Sequence, residues 1–197
     1  MTIDNSPPSR DPARDQTSAL AARVRARLDR PLVLVGMMGV GKSTIGRKLG
    51  QLLDLAFTDA DEEIERAAQM PISEMFERFG EAHFRDGERR VIARLMDSGP
   101  SVIATGGGAF VQPETQALIL AKGLTIWLDC DVETLVDRVT RKDTRPLLRG
   151  GNPREIVTRL KAEREPAYAR AAIHVQSDTG PHSETVNRIL QGIDQWL

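Results

Sequence analysis

Apolar residues cluster in five short blocks along the chain: Leu32–Val35, Leu55–Thr58, Ser101–Thr105, Leu124–Leu128 and Ile173–Gln176. Several are β-branched and lack polar alternation, the pattern of strands covered on both faces. Between them the pattern turns helical. Ile45, Leu49, Leu52 and Leu53 follow the first block, and Leu190, Ile193 and Leu197 form a stripe after the last. Pro113-Glu114 opens a helix that Gly123 ends, and Asp131 is placed to cap a helix running through Arg138. Strand–helix alternation predicts an α/β fold, a parallel sheet with helices on both faces. Ligands then gather at the carboxyl ends of the strands.

Two segments interrupt the alternation. Residues 60–97 predict successive helices, Asp61–Gln69, Ser73–Phe79 and Glu81–Met96, with no strand among them. They read as an insert over the ligand site. Residues 142–152 are polar, with Gly and Pro, and read as a mobile loop. At the amino end, residues 1 to about 18 are rich in Pro, Ser, Asp and Arg and read as disordered. Ala19–Leu28 could form a helix with Leu20, Val24 and Leu28 on one face. Residues 1–28 are therefore expected to be a tail, and 29–197 a single domain.

Composition narrows the class. With 197 residues, 40% hydrophobic and 28% charged, the chain is an ordinary globular one. Its formal net charge of −1 offers no field to recruit nucleic acid or an acidic membrane. No apolar run approaches the ~20 residues of a spanning helix, and the first residues lack the apolar core of a secretory signal. The single cysteine, Cys130, cannot pair internally. The cytoplasm is the expected compartment.

The first apolar block runs into Gly36-Met37-Met38-Gly39-Val40-Gly41-Lys42-Ser43-Thr44. The spacing G-x-x-x-x-G-K-S predicts a buried strand, a phosphate-cradling loop and the start of a helix. Glycines let backbone N–H groups approach phosphate oxygens, and the helix start adds its positive end. Lys42 can reach the outer phosphates, and the Ser43 hydroxyl can ligate Mg²⁺. A nucleoside triphosphate is the expected ligand, held by Gly39, Val40, Gly41, Lys42, Ser43 and Thr44.

Phosphoryl transfer also needs a metal, further positive charge and a placed acceptor. Asp59 and Asp61 close the second block. On an extended chain they point the same way, so one could serve the metal and the other the acceptor hydroxyl. Arg85 and Glu88 share a helix face in the insert, giving an oriented fork for an anion. Gly106, Gly107 and Gly108 follow the third block, where a ligand could touch backbone. Arg145 lies in the polar loop and could close over the γ-phosphate. Arg138 could stack on an adenine ring, and Arg164 lies late in the next helix, beside Pro166. His83, His174 and His182 show no metal spacing. Cys130 and Trp127 read as packing residues.

Taken together, Gly36–Thr44, Asp59-Ala-Asp61, Phe84-Arg85-x-x-Glu88, Thr105-Gly-Gly-Gly108, Arg145-Pro-Leu-Leu148 and Arg164-x-x-x-Tyr168 resemble the shikimate kinases, small P-loop kinases of the nucleoside-monophosphate-kinase type. The resemblance runs from about Leu32 to the end. It implies strand order 2-3-1-4-5, ATP and Mg²⁺ as cofactors, and phosphorylation of the 3-hydroxyl of shikimate on the route to aromatic amino acids. Asp61, Arg85, Gly107 and Arg164 would hold shikimate, flanked by Gly106 and Gly108. Ser43 and Asp59 would serve Mg²⁺, Arg145 would belong to the lid, Arg138 would flank adenine, and Lys42, Asp61 and Arg145 would carry catalysis. A monomer with a small-molecule partner is implied. The alternatives are another small-molecule kinase of this build, such as a gluconate kinase, and a nucleotide-binding module without catalysis.

Overall fold

Strand β1 (Leu32–Val35) is central because all four of its residues are buried. The structure, a computed structural model, describes residues 12–140, 152–177 and 180–197. The other strands are β2 (Phe57–Asp59), β3 (Val102–Ala104), β4 (Leu124–Asp129) and β5 (Ile173–Gln176). They form one parallel sheet in the order β2-β3-β1-β4-β5. The order and the all-parallel pairing match the expectation. β5, at the edge, alternates instead: Ile173 and Val175 are buried, His174 and Gln176 exposed. An edge strand covered on one face needs only one apolar side.

Register decides where the chemistry falls. Leu34 pairs with Ala104, and Ala104 with Asp59. The three strands therefore end level. The residues after them, Gly36–Gly41, Asp59–Asp61 and Thr105–Gly108, meet at one rim of the sheet. The helices pack on both faces: α2 (Lys42–Leu53), α5 (Pro113–Lys122), α6 (Val132–Thr140), α7 (Pro153–Tyr168) and α8 (His182–Trp196). Pro113 and Pro153 both sit in the first turn of their helices, where no backbone donor is lost. Pro166 lies inside α7, which ends two residues later at Tyr168. Among the described residues no helix is long and apolar enough to cross a membrane.

The insert is α3 (Ala60–Ala68) followed by α4 (Ile72–Met96). The two later helices expected here are both present, as two segments of α4 separated by Gly80, whose φ 79° and ψ 171° are not helical. Ile64, Met75 and Phe84 make a small core of their own between α3 and α4.

Two sequence expectations are corrected. Asp61 is not on extended chain; it lies in the first turn of α3, whose cap is Asp59. The amino end is also more ordered than its polar composition suggests. Helix α1 (Pro12–Arg27) begins well before Ala19. Ala21, Val24 and Leu28 are buried in the main core, and Thr17 and Arg23 bond Asn187 and Asp194 of α8. The helix forms because burial of that short apolar face outweighs its polar remainder. The exposed ion pairs to Asp194 add little.

Removal of residues 1–28 is therefore expected to destabilise the domain. Full burial of Val24 and Leu28 alone is worth roughly 3–6 kcal/mol as an upper estimate. Urea unfolding of the truncated and full chains measures this. An unchanged midpoint would show that α1 is dispensable.

Candidate active site at the strand ends

The phosphate loop is set by backbone geometry. Gly41 takes φ 101° as the residue before α2, and no side chain caps the helix. Its first N–H groups thus face the loop, as an anion site requires. At Gly36 (φ +136°) a Cβ would lie 2.3 Å from the Leu128 carbonyl oxygen. Only glycine lets the loop leave β1 so close to β4. Lys42 Nζ donates to the carbonyls of Gly36 (2.8 Å) and Met37 (3.0 Å), which holds the ammonium at the loop's mouth. Arg138 donates to Val40 O at 3.3 Å and so joins the phosphate loop, as does the buried Ser177 through the same oxygen. Thr44 is exposed in the first turn of α2.

Asp59 ties β2 to this loop. One carboxylate oxygen accepts from Ser43 Oγ at 2.6 Å, and the other accepts from the Asp61 backbone N–H at 3.1 Å. The pair offers hard oxygen donors next to a phosphate cradle, the kind Mg²⁺ takes. Among the described residues no group of three His, Cys, Asp or Glu could hold a metal. Mg²⁺ keeps its waters and needs only one or two protein ligands beside phosphate.

A second group of side chains gathers from α3, α4 and α7 around the glycines after β3. Arg85 Nη1 donates to Glu88 at 2.8 Å, and Nε and Nη2 donate to Glu81 at 3.2 and 3.1 Å. The guanidinium lies over Phe84 and Phe76, the lid of the insert's core. The Glu88 side chain is 1% exposed and that of Glu81 63%, so the Glu88 contact orients the arginine and the Glu81 contact contributes little. Burial works against the charge of Arg85, but Glu88 and Glu81 outweigh it and raise its pKa.

The three glycines admit these groups by lacking side chains. None of the three has a positive φ, so space rather than conformation is the requirement. A Cβ on Gly106 would lie 2.7 Å from Asp61 Oδ1 and 3.2 Å from Glu88 Oε1. One on Gly108 would lie 2.6 Å from Arg85 Nη2. One on Gly107 would meet Arg164 Nη1 at 3.2 Å, Met38 N at 3.5 Å and Gly36 O at 3.6 Å. Gly107 thus lies against the phosphate loop and Arg164 at once. The Tyr168 hydroxyl donates to Gly107 O, and burial pushes its pKa up to about 12 against the opposing pull of Arg164.

Burial raises the pKa of Asp61, and the Asp59 charge adds to it, while Lys42 and Arg85 oppose. Burial likewise raises that of Glu88 against the pull of Arg85, with Asp61 adding to the rise. Two carboxyls with raised proton affinity therefore flank Gly106. A carboxylate of raised basicity beside an acceptor site can take a hydroxyl proton.

A profile of the shikimate kinase family matches residues 38–194. The chain belongs to the shikimate kinase family. The shikimate kinase of Novosphingobium aromaticivorans is 64% identical over 179 residues, covering 89% of this chain and 93% of that one. A structure of shikimate kinase from Acinetobacter baumannii in complex with shikimate superimposes with a TM-score of 0.80 at 35% identity, covering 89% and 95% of the two chains. A gluconokinase from Sinorhizobium meliloti gives a TM-score of 0.60 at 16% identity, with 86% and 94% covered, a likeness of fold alone. Membership in the shikimate kinase family thus removes the gluconate alternative left open by the motifs.

Lys42, Ser43, Asp59, Asp61, Arg85, Gly106–Gly108 and Arg164 converge at one rim. Arg145 and nearly all of the 142–152 loop lie outside the described residues. The sequence reading assigned no role to Tyr168, Glu81 or Ser177. The spacing of Glu81 from Arg85 (i, i+4) is a signal that could have found the first pairing. Tyr168 closes the Arg164-x-x-x-Tyr168 motif, but its partner carbonyl, like that of Ser177, is distant in sequence and leaves no local sign.

Two outcomes follow from this geometry. Gly108→Ala is expected to raise the acceptor KM by about 10-fold or more, because the methyl displaces Arg85, a contact of hydrogen-bonded charge. Steady-state kinetics with each substrate varied reads it; an unchanged acceptor KM would place Arg85 outside the site. Asp61→Asn is expected to stabilise the fold at neutral pH while lowering turnover. A carboxyl whose folded pKa is raised supplies stability below its unfolded pKa, and that stability is lost as pH rises through the folded value. The gain in melting temperature should accordingly vanish in acid. A loss of stability at neutral pH would contradict the buried-carboxyl account.

Proposed function

We propose that the chain transfers the γ-phosphoryl group of ATP to the 3-hydroxyl of shikimate, within aromatic amino acid biosynthesis. The observation that carries the residue assignment is the position of Gly107, with the phosphate loop on one side and Arg164 on the other. Donor and acceptor sites share that wall, so a hydroxyl held by the acceptor groups lies in reach of a bound phosphate. Family membership supplies the identity of the acceptor.

The roles divide by chemistry. Gly39–Thr44 cradle the phosphates, and Lys42 and the start of α2 stabilise charge on the transferring group. Ser43 and Asp59 would hold Mg²⁺, which when bound neutralises phosphate charge. Arg85, oriented by Glu88, and Arg164 fit the planar carboxylate of shikimate, each with a guanidinium fork. Asp61 accepts a hydrogen bond from the reacting hydroxyl and takes its proton. Arg138, bonded to Val40 O, flanks the adenine. Arg145 would serve as an additional cation on the γ-phosphate. Every group named comes from one chain, so a monomer suffices.

Turnover of ATP with purified protein is expected to depend on shikimate and to stay at background with gluconate. Lys42→Ala should lower kcat by about 100-fold or more, as loss of a preorganised charge at the transition state does. Arg145→Ala should lower kcat while leaving shikimate affinity without nucleotide nearly unchanged. Gluconate-dependent turnover equal to that with shikimate, or a near-normal kcat for Lys42→Ala, would overturn the assignment.

A further inference from the structure

Gln116 is a buried amide on the inner face of α5, and no catalytic step uses it. It is 5% exposed, and its side chain bonds three residues outside α5. Its Nε2 donates to Phe110 O at 3.0 Å and to Ala167 O at 3.1 Å, and its Oε1 accepts from Arg170 Nη1. Phe110 lies two residues after Gly108, in the short 3₁₀ turn Ala109–Val111. Ala167 lies three residues after Arg164, in the last turn of α7. One primary amide thus spends both its protons on two segments that each carry part of the acceptor site. Tyr168 makes a second tie between the same two segments through Gly107 O.

We propose that Gln116 is a positioning residue for the acceptor site: it fixes the glycine loop against α7, and so sets the distance between Gly107 and Arg164. The inference rests on the assignment of those two residues to shikimate. A primary amide suits this task. It alone among uncharged side chains presents two protons on one nitrogen to two carbonyls and an acceptor to a cation. In a buried setting, loss of such bonds leaves the freed groups poorly solvated, and the two segments relax apart. A guanidinium displaced by a fraction of an ångström loses its paired contact to a carboxylate, whereas ATP, bound by the loop after β1, keeps all of its own.

Gln116→Met, close in volume and unable to make these bonds, tests it. The KM for shikimate is expected to rise about 10-fold, with the KM for ATP within about twofold of wild type. Gln116→Glu should not rescue, since a carboxylate cannot donate to either carbonyl. Should Gln116→Met fail to fold, Arg170→Ala, an exposed change that frees only the Gln116 oxygen, is expected to raise the shikimate KM about threefold in the same selective way. Amide hydrogen exchange provides a readout free of shikimate: residues 106–111 and 164–170 should exchange faster in the variant, and residues 36–44 at the wild-type rate. A lowered melting temperature with both KM values unchanged, or equal rises in both, would make Gln116 merely structural and overturn the proposal. Wild-type protein that shows no shikimate turnover while the exchange pattern holds would instead overturn the substrate assignment and leave the coupling of the two segments standing.

Discussion

The site depends on empty space at the end of one strand. Gly106, Gly107 and Gly108 take no positive φ, yet a Cβ would displace Asp61 at Gly106 and Arg85 at Gly108, and would crowd Arg164 at Gly107. The absence of three Cβ atoms lets α3, α4, α7 and the phosphate loop all approach the same backbone. Close packing elsewhere makes this possible. Strands β1 and β3 are fully buried, β2 at the sheet edge is half-buried, and the register of the three brings their ends level. The rim is therefore a rigid edge from which short loops emerge.

Charge sets the second constraint. Asp61 and Glu88 sit together with little solvent, which costs free energy whenever both are ionised. Arg85 and Lys42 offset that cost in part, and the phosphate loop adds the positive end of α2. The arrangement is a stability–function compromise. A carboxyl that is easy to protonate is a better proton acceptor and a worse structural element. Arg85 is held in place by a buried partner, Glu88, and lies over the rings of Phe84 and Phe76. Preorganised charge binds without further ordering cost.

Legibility in the sequence followed the range of the interactions. The phosphate loop and the Arg85–Glu88 face were readable because they are local: fixed spacings with one backbone geometry. Sheet order came from family resemblance, since hydrophobic runs mark strands but not their neighbours. The Asp59–Asp61 pair was read as extended because strand alternation was carried two residues past the end of β2; the Asp59 cap starts the helix there. Helix α1 was underestimated because its buried face is only Ala21, Val24 and Leu28 within a polar, charged segment. Gln116, Tyr168 and Ser177 act on carbonyls 51 to 137 residues away or, for Phe110, on a turn with no motif. Such contacts exist only once the fold does.

The central claim is that Arg85, framed by Glu88 and the space at Gly108, binds the acceptor's carboxylate. A double-mutant cycle tests it most directly. Affinity is measured for wild type and Arg85→Ala, with shikimate and with an analogue whose carboxylate is replaced by a neutral carbinol. Arg85→Ala is predicted to weaken shikimate binding by about 30-fold or more, as truncating one partner of a buried charge pair does, and to cost little with the carbinol. Equal penalties with both ligands would show that Arg85 never touches the carboxylate and would contradict this account of the site.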